Sequence, residues 1–248
     1  MKSGHGSHPM APPAEAGRVG PGRYASWRAS RLGAVTEAVE QRLLLDLVGE
    51  PARHRVLDVG CGDGTLVRAL AARGADAVGI DPDPAMLAAA RAHTAAAGLH
   101  GQFAAGRMER LPFPDGSFDV VIAVTSLCFV ADAAAAMREM ARAARPGGRL
   151  VVGELGRWSV WAAARRCRGW LGNPTWQAAH FRTATGLCGL ARQAGLSVVS
   201  LRGAVFYPPV GLLAWMLARA DPWLGRLTTF GAAFIALAAT TPDHDRKE

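Results

Sequence analysis

Three glycines at alternate positions follow a short apolar run, Val56-Leu57-Asp58-Val59-Gly60-Cys61-Gly62-Asp63-Gly64. Glycine lets a backbone pass close beneath a ligand, because a Cβ would fill that space. A helix starting just after such a turn aims free N–H groups and its positive dipole end at the same spot, which suits a carboxylate or phosphate. Asp81 stands 23 residues after Asp58, at the end of the next apolar run. An acid at that place accepts hydrogen bonds from ribose hydroxyls. The pair points to a ligand built on a nucleoside. The dinucleotide fingerprint wants a third glycine where this chain has Thr65, which disfavours nicotinamide chemistry.

Other reactive residues are less organised. Cys61, Cys128, Cys167 and Cys188 form no C-x-x-C pair. Neither a zinc site nor a disulfide framework is expected, no metal is implied, and reduced cysteines suit a cytoplasmic protein. His180, Tyr24 and Glu154 are candidate proton acceptors, and each also reads as a structural residue. The net charge of +8 has two readings. One is an acidic partner, nucleic acid or an anionic membrane surface. The other is composition, since lysine occurs only at Lys2 and Lys247 and the remaining basic residues are arginine in a chain rich in alanine and glycine.

The elements that must position these groups follow from periodicity. At 248 residues and 50% hydrophobic, the chain holds one large domain or two small ones with a sizeable core. Residues 31–48 have helical spacing. Residues 55–59, 77–80, 102–105, 118–124 and 149–154 read as strands, separated by helices over 66–72, 84–97 and 132–144. Asp132 is a plausible N-cap, and Pro146-Gly147-Gly148 reads as a turn. Strands alternating with helices imply right-handed βαβ units and a parallel sheet. Beyond these come an aromatic and arginine-rich stretch over 158–171, a helix over 183–194, a strand over 196–206, a helix over 210–220 and a last strand over 230–239.

Four segments together resemble the class I S-adenosylmethionine (SAM)-dependent methyltransferases of the UbiE-like "methyltransferase domain 11" type. The first is residues 56–65. The second is Gly79-Ile80-Asp81-Pro82-Asp83-Pro84-Ala85-Met86-Leu87. The third is Leu111-Pro112-Phe113-Pro114-Asp115-Gly116-Ser117-Phe118-Asp119-Val120-Val121, and the fourth Arg145-Pro146-Gly147-Gly148-Arg149-Leu150. They occur in the family's order. The resemblance implies a Rossmann-like α/β fold. Its mostly parallel seven-stranded sheet has order 3-2-1-4-5-7-6, with the last strand antiparallel and helices on both faces. It implies SAM as methyl donor and S-adenosylhomocysteine as product. Asp58 and the backbone of Gly60, Cys61, Gly62 and Gly64 would hold the methionine moiety. Asp81 would hold the ribose, with Pro82 and Met86 against the adenine and Thr125 and Ser126 bordering the methionine and the reacting centre. Arg107 and Met108 stand where the family has Asp-Ala facing the adenine. Arginine has no acceptor for the adenine amino group, which leaves the Met108 backbone to take that contact or weakens it. Tyr24-Ala25-Ser26-Trp27 resembles a segment that caps the pocket in relatives.

The expected organisation is a disordered leader over 1–22, a methyltransferase domain over 23–241 and a flexible tail over 242–248. An insertion over about 155–182 would cover the acceptor. No signal peptide is read in the first twenty residues, and no apolar run reaches transmembrane length. The expected reaction is in-line methyl transfer to a small or lipophilic molecule. Alternatives are an RNA or protein methyltransferase recruited by charge, and a non-catalytic SAM-binding or membrane-associated protein. No appended RNA-binding module is visible, which argues against nucleic acid. Peripheral membrane contact stays open, because a tryptophan- and arginine-rich stretch can be a substrate lid, a membrane-surface helix or a packed helix with a solvated basic face.

Overall fold

The computed structural model describes residues 20–243. Helices α1 (Pro21–Ala29) and α2 (Arg31–Val48) come first, separated by Ser30, whose hydroxyl accepts from Gly33 N and caps α2. Then β1 (Arg55–Val59), α3 (Thr65–Ala71), β2 (Asp76–Asp81), α4 (Pro84–Ala96), β3 (Gln102–Ala105) and β4 (Phe118–Val124) alternate. After a 3₁₀ turn at Leu127–Phe129 the chain forms α5 (Ala133–Ala143), β5 (Ala144–Leu155), α6 (Val160–Trp170) and α7 (Pro174–Ala178). It ends with α8 (Ala184–Gln193), β6 (Ser197–Ala204), α9 (Gly211–Leu217), α10 (Asp221–Leu227) and β7 (Phe234–Thr240).

The seven strands form one sheet in the order β3-β2-β1-β4-β5-β7-β6. The first five pair in parallel, and β7 runs antiparallel between β5 and β6. Both the order and the antiparallel last strand are those expected from sequence. Central strands are apolar on both sides because both sides are covered. Val121 and Ala123 of β4 face Met137 and Met140 of α5 and Leu187 of α8. Val120 and Ile122 face the opposite core with Leu44 and Leu47 of α2, Trp161 of α6 and Tyr207. The parallel order places β1 and β4 side by side at the centre, so the loops after them share one edge of the sheet. The switch in strand order there is where α/β sheets bind ligands.

Asp132 caps α5 as expected, accepting from Ala135 N. Elsewhere the boundaries differ. Residues 1–19 and 244–248 of the expected leader and tail lie outside the described residues, but the leader's last two residues belong to α1. Pro146-Gly147-Gly148 does not separate helix from strand. β5 already pairs at Ala144 with Phe118 and then shifts register before Arg149 meets Val120. The last strand starts at Phe234 rather than Phe230, because Gly231 turns at φ 85° and Phe230 points to solvent. Helices α1, α7 and α10 were not expected from the sequence.

Candidate active site

Each of Gly60, Gly62 and Gly64 has φ between 53° and 77°. A Cβ on Gly60 would lie 2.5 Å from Ser126 Cβ, so the turn from β1 passes directly against the loop after β4. Gly62 faces open space within 4 Å of where its Cβ would sit. The turn is fastened to β2: Gly60 N and Cys61 N both donate to Ile80 O (2.7 and 3.0 Å) and Gly62 N donates to Asp81 Oδ2 (3.0 Å). Asp81 Oδ1 accepts from Asp83 N at 2.8 Å. The carboxylate therefore has a fixed orientation. The Cys61 thiol packs inward toward Gly79, and burial raises its pKa, so the residue contributes backbone rather than sulfur to the turn.

Asp58 is buried in β1. Burial, with a smaller contribution from the Asp81 charge, lifts its pKa to about 7. A buried carboxylate is costly. It is the group that a cationic or N–H-bearing ligand beside the glycine turn would relieve. A glycine cradle, an oriented acid on β2 and a buried acid on β1 therefore fit an amino acid joined to a nucleoside, as in SAM.

The other positions named from sequence surround the same edge. Thr125, the first residue after β4, holds φ 46°, a strained conformation for a residue with a Cβ, and its N–H donates to Gly153 O at 2.7 Å. Met108 is buried beside Gly60. Met86 is partly buried in the first turn of α4, and Pro82 is exposed just before it. Arg107 is exposed and pairs with Glu109 at 3.0 Å.

Helix α1 closes over the turn through a contact not anticipated from sequence. Arg28 makes an ion pair with Asp63 and a hydrogen bond to Thr65, and its guanidinium lies 4.7 Å over the Tyr24 ring. Thr65 Oγ1 in turn donates to Asp63 Oδ1 at 3.1 Å. Tyr24, named as a proton acceptor, thus sits among Arg28, Glu37 and Glu40, and burial pushes its hydroxyl pKa upward. That makes it a poor base at neutral pH and a good packing residue.

The remaining two candidates meet at the 3₁₀ turn after β4. His180 N and Nδ1 both lie near Cys128 O (2.8 and 3.3 Å). Glu154, near the end of β5, is fully buried and neither oxygen makes a hydrogen bond of good geometry. Burial lifts its pKa to about 8, against the pull of Arg182, whose Nε stands 4.0 Å from Oε2 and itself makes no hydrogen bond. Arg182, Trp158 and Phe230 line a cavity of about 140 Å³. Arg28, Asp63 and Arg182 were not picked out from the sequence, whereas Ser126 was, as a neighbour of Thr125 at the end of β4. Of those three only Asp63 carried a signal, its place inside the glycine turn; the other two come from distant segments brought together by the fold.

The sheet order, the antiparallel seventh strand and the turn after β1 define the class I methyltransferase architecture. A family profile described as "Methyltransferase domain" matches residues 57–152. An uncharacterized Mycobacterium tuberculosis protein is 32% identical over 226 residues, covering 91% of this chain and 73% of that protein. A ubiquinone biosynthesis O-methyltransferase of Methylobacterium nodulans is 32% identical, covering 66% of this chain and 67% of the relative. A demethylmenaquinone methyltransferase of Thermus thermophilus is 43% identical over 114 residues, 45% of this chain and 52% of the relative. A Thermotoga maritima structure described as a SAM-dependent methyltransferase, possible histamine N-methyltransferase, superposes with TM-score 0.68 at 23% identity, covering 88% of this chain and 94% of that one. The chain belongs to this family and is a SAM-dependent methyltransferase.

Proposed function

We propose that the chain methylates a lipophilic ring compound of the quinol or phenol type, with the donor on the β1–β2 side and the acceptor beyond β4 and β5. In this reading Asp58 takes the ammonium of SAM, and the backbone of Gly60, Cys61, Gly62 and Gly64 cradles the methionine moiety. Asp81 takes the ribose hydroxyls, Pro82, Met86, Arg107 and Met108 border the adenine, and Thr125 faces the reacting centre. SAM supplies a methyl group already activated on sulfonium, so the protein's work is alignment and control of the acceptor's charge.

The observation that carries the acceptor reading is the ion pair between buried Glu154 and Arg182, 4.0 Å apart, whose Arg182 lines a cavity walled also by Trp158 and Phe230. The aromatic walls suit a planar apolar acceptor. The Arg182 guanidinium favours the acceptor hydroxyl as its anion, the nucleophilic form, and Glu154 fixes that guanidinium in place. Glu154 is a positioning residue, and the proton leaves to solvent. The relatives named for ubiquinone and demethylmenaquinone chemistry act on such rings, and the reading accommodates oxygen or ring carbon as the methylated atom.

The test is a methylation assay with SAM, offering in parallel a prenylated phenol, a short water-soluble catechol and bulk RNA. The expected result is a methylated prenylated phenol and little product from the other two. Salt-sensitive methylation of RNA alone would overturn the reading. Glu154→Gln is expected to lower kcat with little change in SAM affinity, and the rise of kcat through about pH 8 should vanish.

A further inference from the structure

We propose that α9, α10 and the start of α6 form a docking surface for anionic lipid membranes. This inference stands on exposure and charge and does not need the acceptor assigned above. Among the described residues fifteen large apolar side chains are exposed, and all but Phe129 fall within residues 158–230. In α9, Leu212, Leu213, Trp215, Met216 and Leu217 are all exposed and only Ala214 is buried. Water gives such a helix no reason to form. A helix of this kind is suited to lie with its apolar side in a lipid headgroup boundary.

The patch is continuous around the end of the sheet. Trp161 Nε1 donates to Tyr207 O at 2.7 Å, tying α6 to the segment that enters α9. Gly231 N donates to Trp158 O at 2.9 Å, bringing Trp158 to Phe230 just after α10. Tryptophans at 158, 215 and 223 are each more than half exposed, and indole rings favour the membrane–water interface.

Charge says what covers this surface. Residues 155–243 hold nine arginines against Asp221 and Asp243, so seven of the eight net positive charges of the whole chain lie there. Asp221 is buried, accepting from Val205 N and Phe206 N. Arg157, Arg168, Arg219 and Arg226 are exposed and make no ion pair among the described residues. Arg157 beside Trp158, and Arg219 and Arg226 beside and within α10, put unpaired positive charge among these apolar side chains, which matches an anionic bilayer, where each basic residue near the surface adds attraction. A second copy of this chain is the poorer occupant, because a symmetric contact would set the two positive faces against each other. Residues 1–19 offer only Met1, Met10 and Val19 as larger apolar side chains, too few to cover the patch.

The test is sedimentation of the full chain with vesicles of phosphatidylcholine alone or mixed with phosphatidylglycerol. The expected result is about tenfold tighter binding to the anionic vesicles, weakening with salt, with a blue shift of tryptophan fluorescence on binding. Leu212→Ser with Trp215→Ser should reduce binding to both vesicle types by at least about tenfold. Arg219→Glu with Arg226→Glu should remove only the anionic preference. Both double variants should keep their affinity for S-adenosylhomocysteine, which shows that they are folded. Equal, salt-insensitive sedimentation with both vesicle types would overturn the proposal. So would a wild-type dimer that binds no vesicles and that the apolar double variant dissociates.

Discussion

Residues 20–154 and 155–243 share one sheet but differ in what their charged groups meet. In the first region several arginines have acidic partners, Arg28 with Asp63, Arg142 with Glu139 and Asp115, Arg145 with Asp119, while Arg42, Arg53, Arg110 and Arg138 are exposed without an ion pair among the described residues. The same region buries an acid, Asp58. In the second region the exposed arginines have no acidic partners, and apolar side chains face solvent among them. The first region is complete except for a small cationic ligand. The second is complete only against something large, apolar and negative. A buried acid and an exposed patch thus point to two kinds of partner.

The sharpest way to break this contrast is at the glycine turn. Gly60→Ala combines a positive φ with a Cβ 2.5 Å from Ser126 Cβ. Calorimetry with S-adenosylhomocysteine should show roughly 100-fold weaker binding, about 3 kcal/mol. Gly62→Ala meets only the φ penalty, because its Cβ points into open space, and should cost about 1 kcal/mol. Equal losses at the two positions would mean that the turn does not touch the loop after β4.

Asp58 gives the next largest effect, and its sign is opposite for stability and binding. Its pKa in the fold, about 7, lies above the ordinary value of 3.8. The stability it contributes is therefore fully present at low pH and is lost as pH rises through 7. Asp58→Asn should raise the melting temperature above pH 7. In wild type, affinity for a cationic ligand should tighten by up to about tenfold per pH unit below 7 and level off above it. The Asn variant should lose that dependence, measured by calorimetry from pH 6 to 8.

Glu154 carries the same sign one step higher, with stability lost as pH rises through about 8. Glu154→Gln should flatten the fall in melting temperature between pH 6 and 9. The smallest effect is expected at Trp170, which is 82% exposed at the far end of α6. Trp170→Ser should change stability by less than about 0.5 kcal/mol, as read from urea denaturation.

Much of the first region was legible in the sequence. Strands β1, β3 and β4 and helix α2 fall where periodicity puts them, because long buried runs and clear glycine stops leave little choice. The four motifs carried the sheet order and the antiparallel last strand. Arg28 was not legible, since its partner Asp63 is 35 residues away and only the docking of α1 joins them. Arg182 had no signal for the same reason: its significance comes from Glu154, 28 residues earlier. The tryptophan-rich stretch was ambiguous because one sequence can pack or lie exposed. It does both, with Trp161 buried and Trp158 and Trp170 in solvent.

The most direct test of the division between the two regions is calorimetry of S-adenosylhomocysteine binding to wild type, Asp81→Ala and the Leu212→Ser/Trp215→Ser variant. The expected result is binding by wild type and the exposed-patch variant alike, with at least about tenfold weaker binding by Asp81→Ala, since charge-assisted hydrogen bonds are lost. Unchanged affinity in Asp81→Ala, or a loss confined to the exposed-patch variant, would contradict the assignment of the methyl donor to the β1–β2 edge.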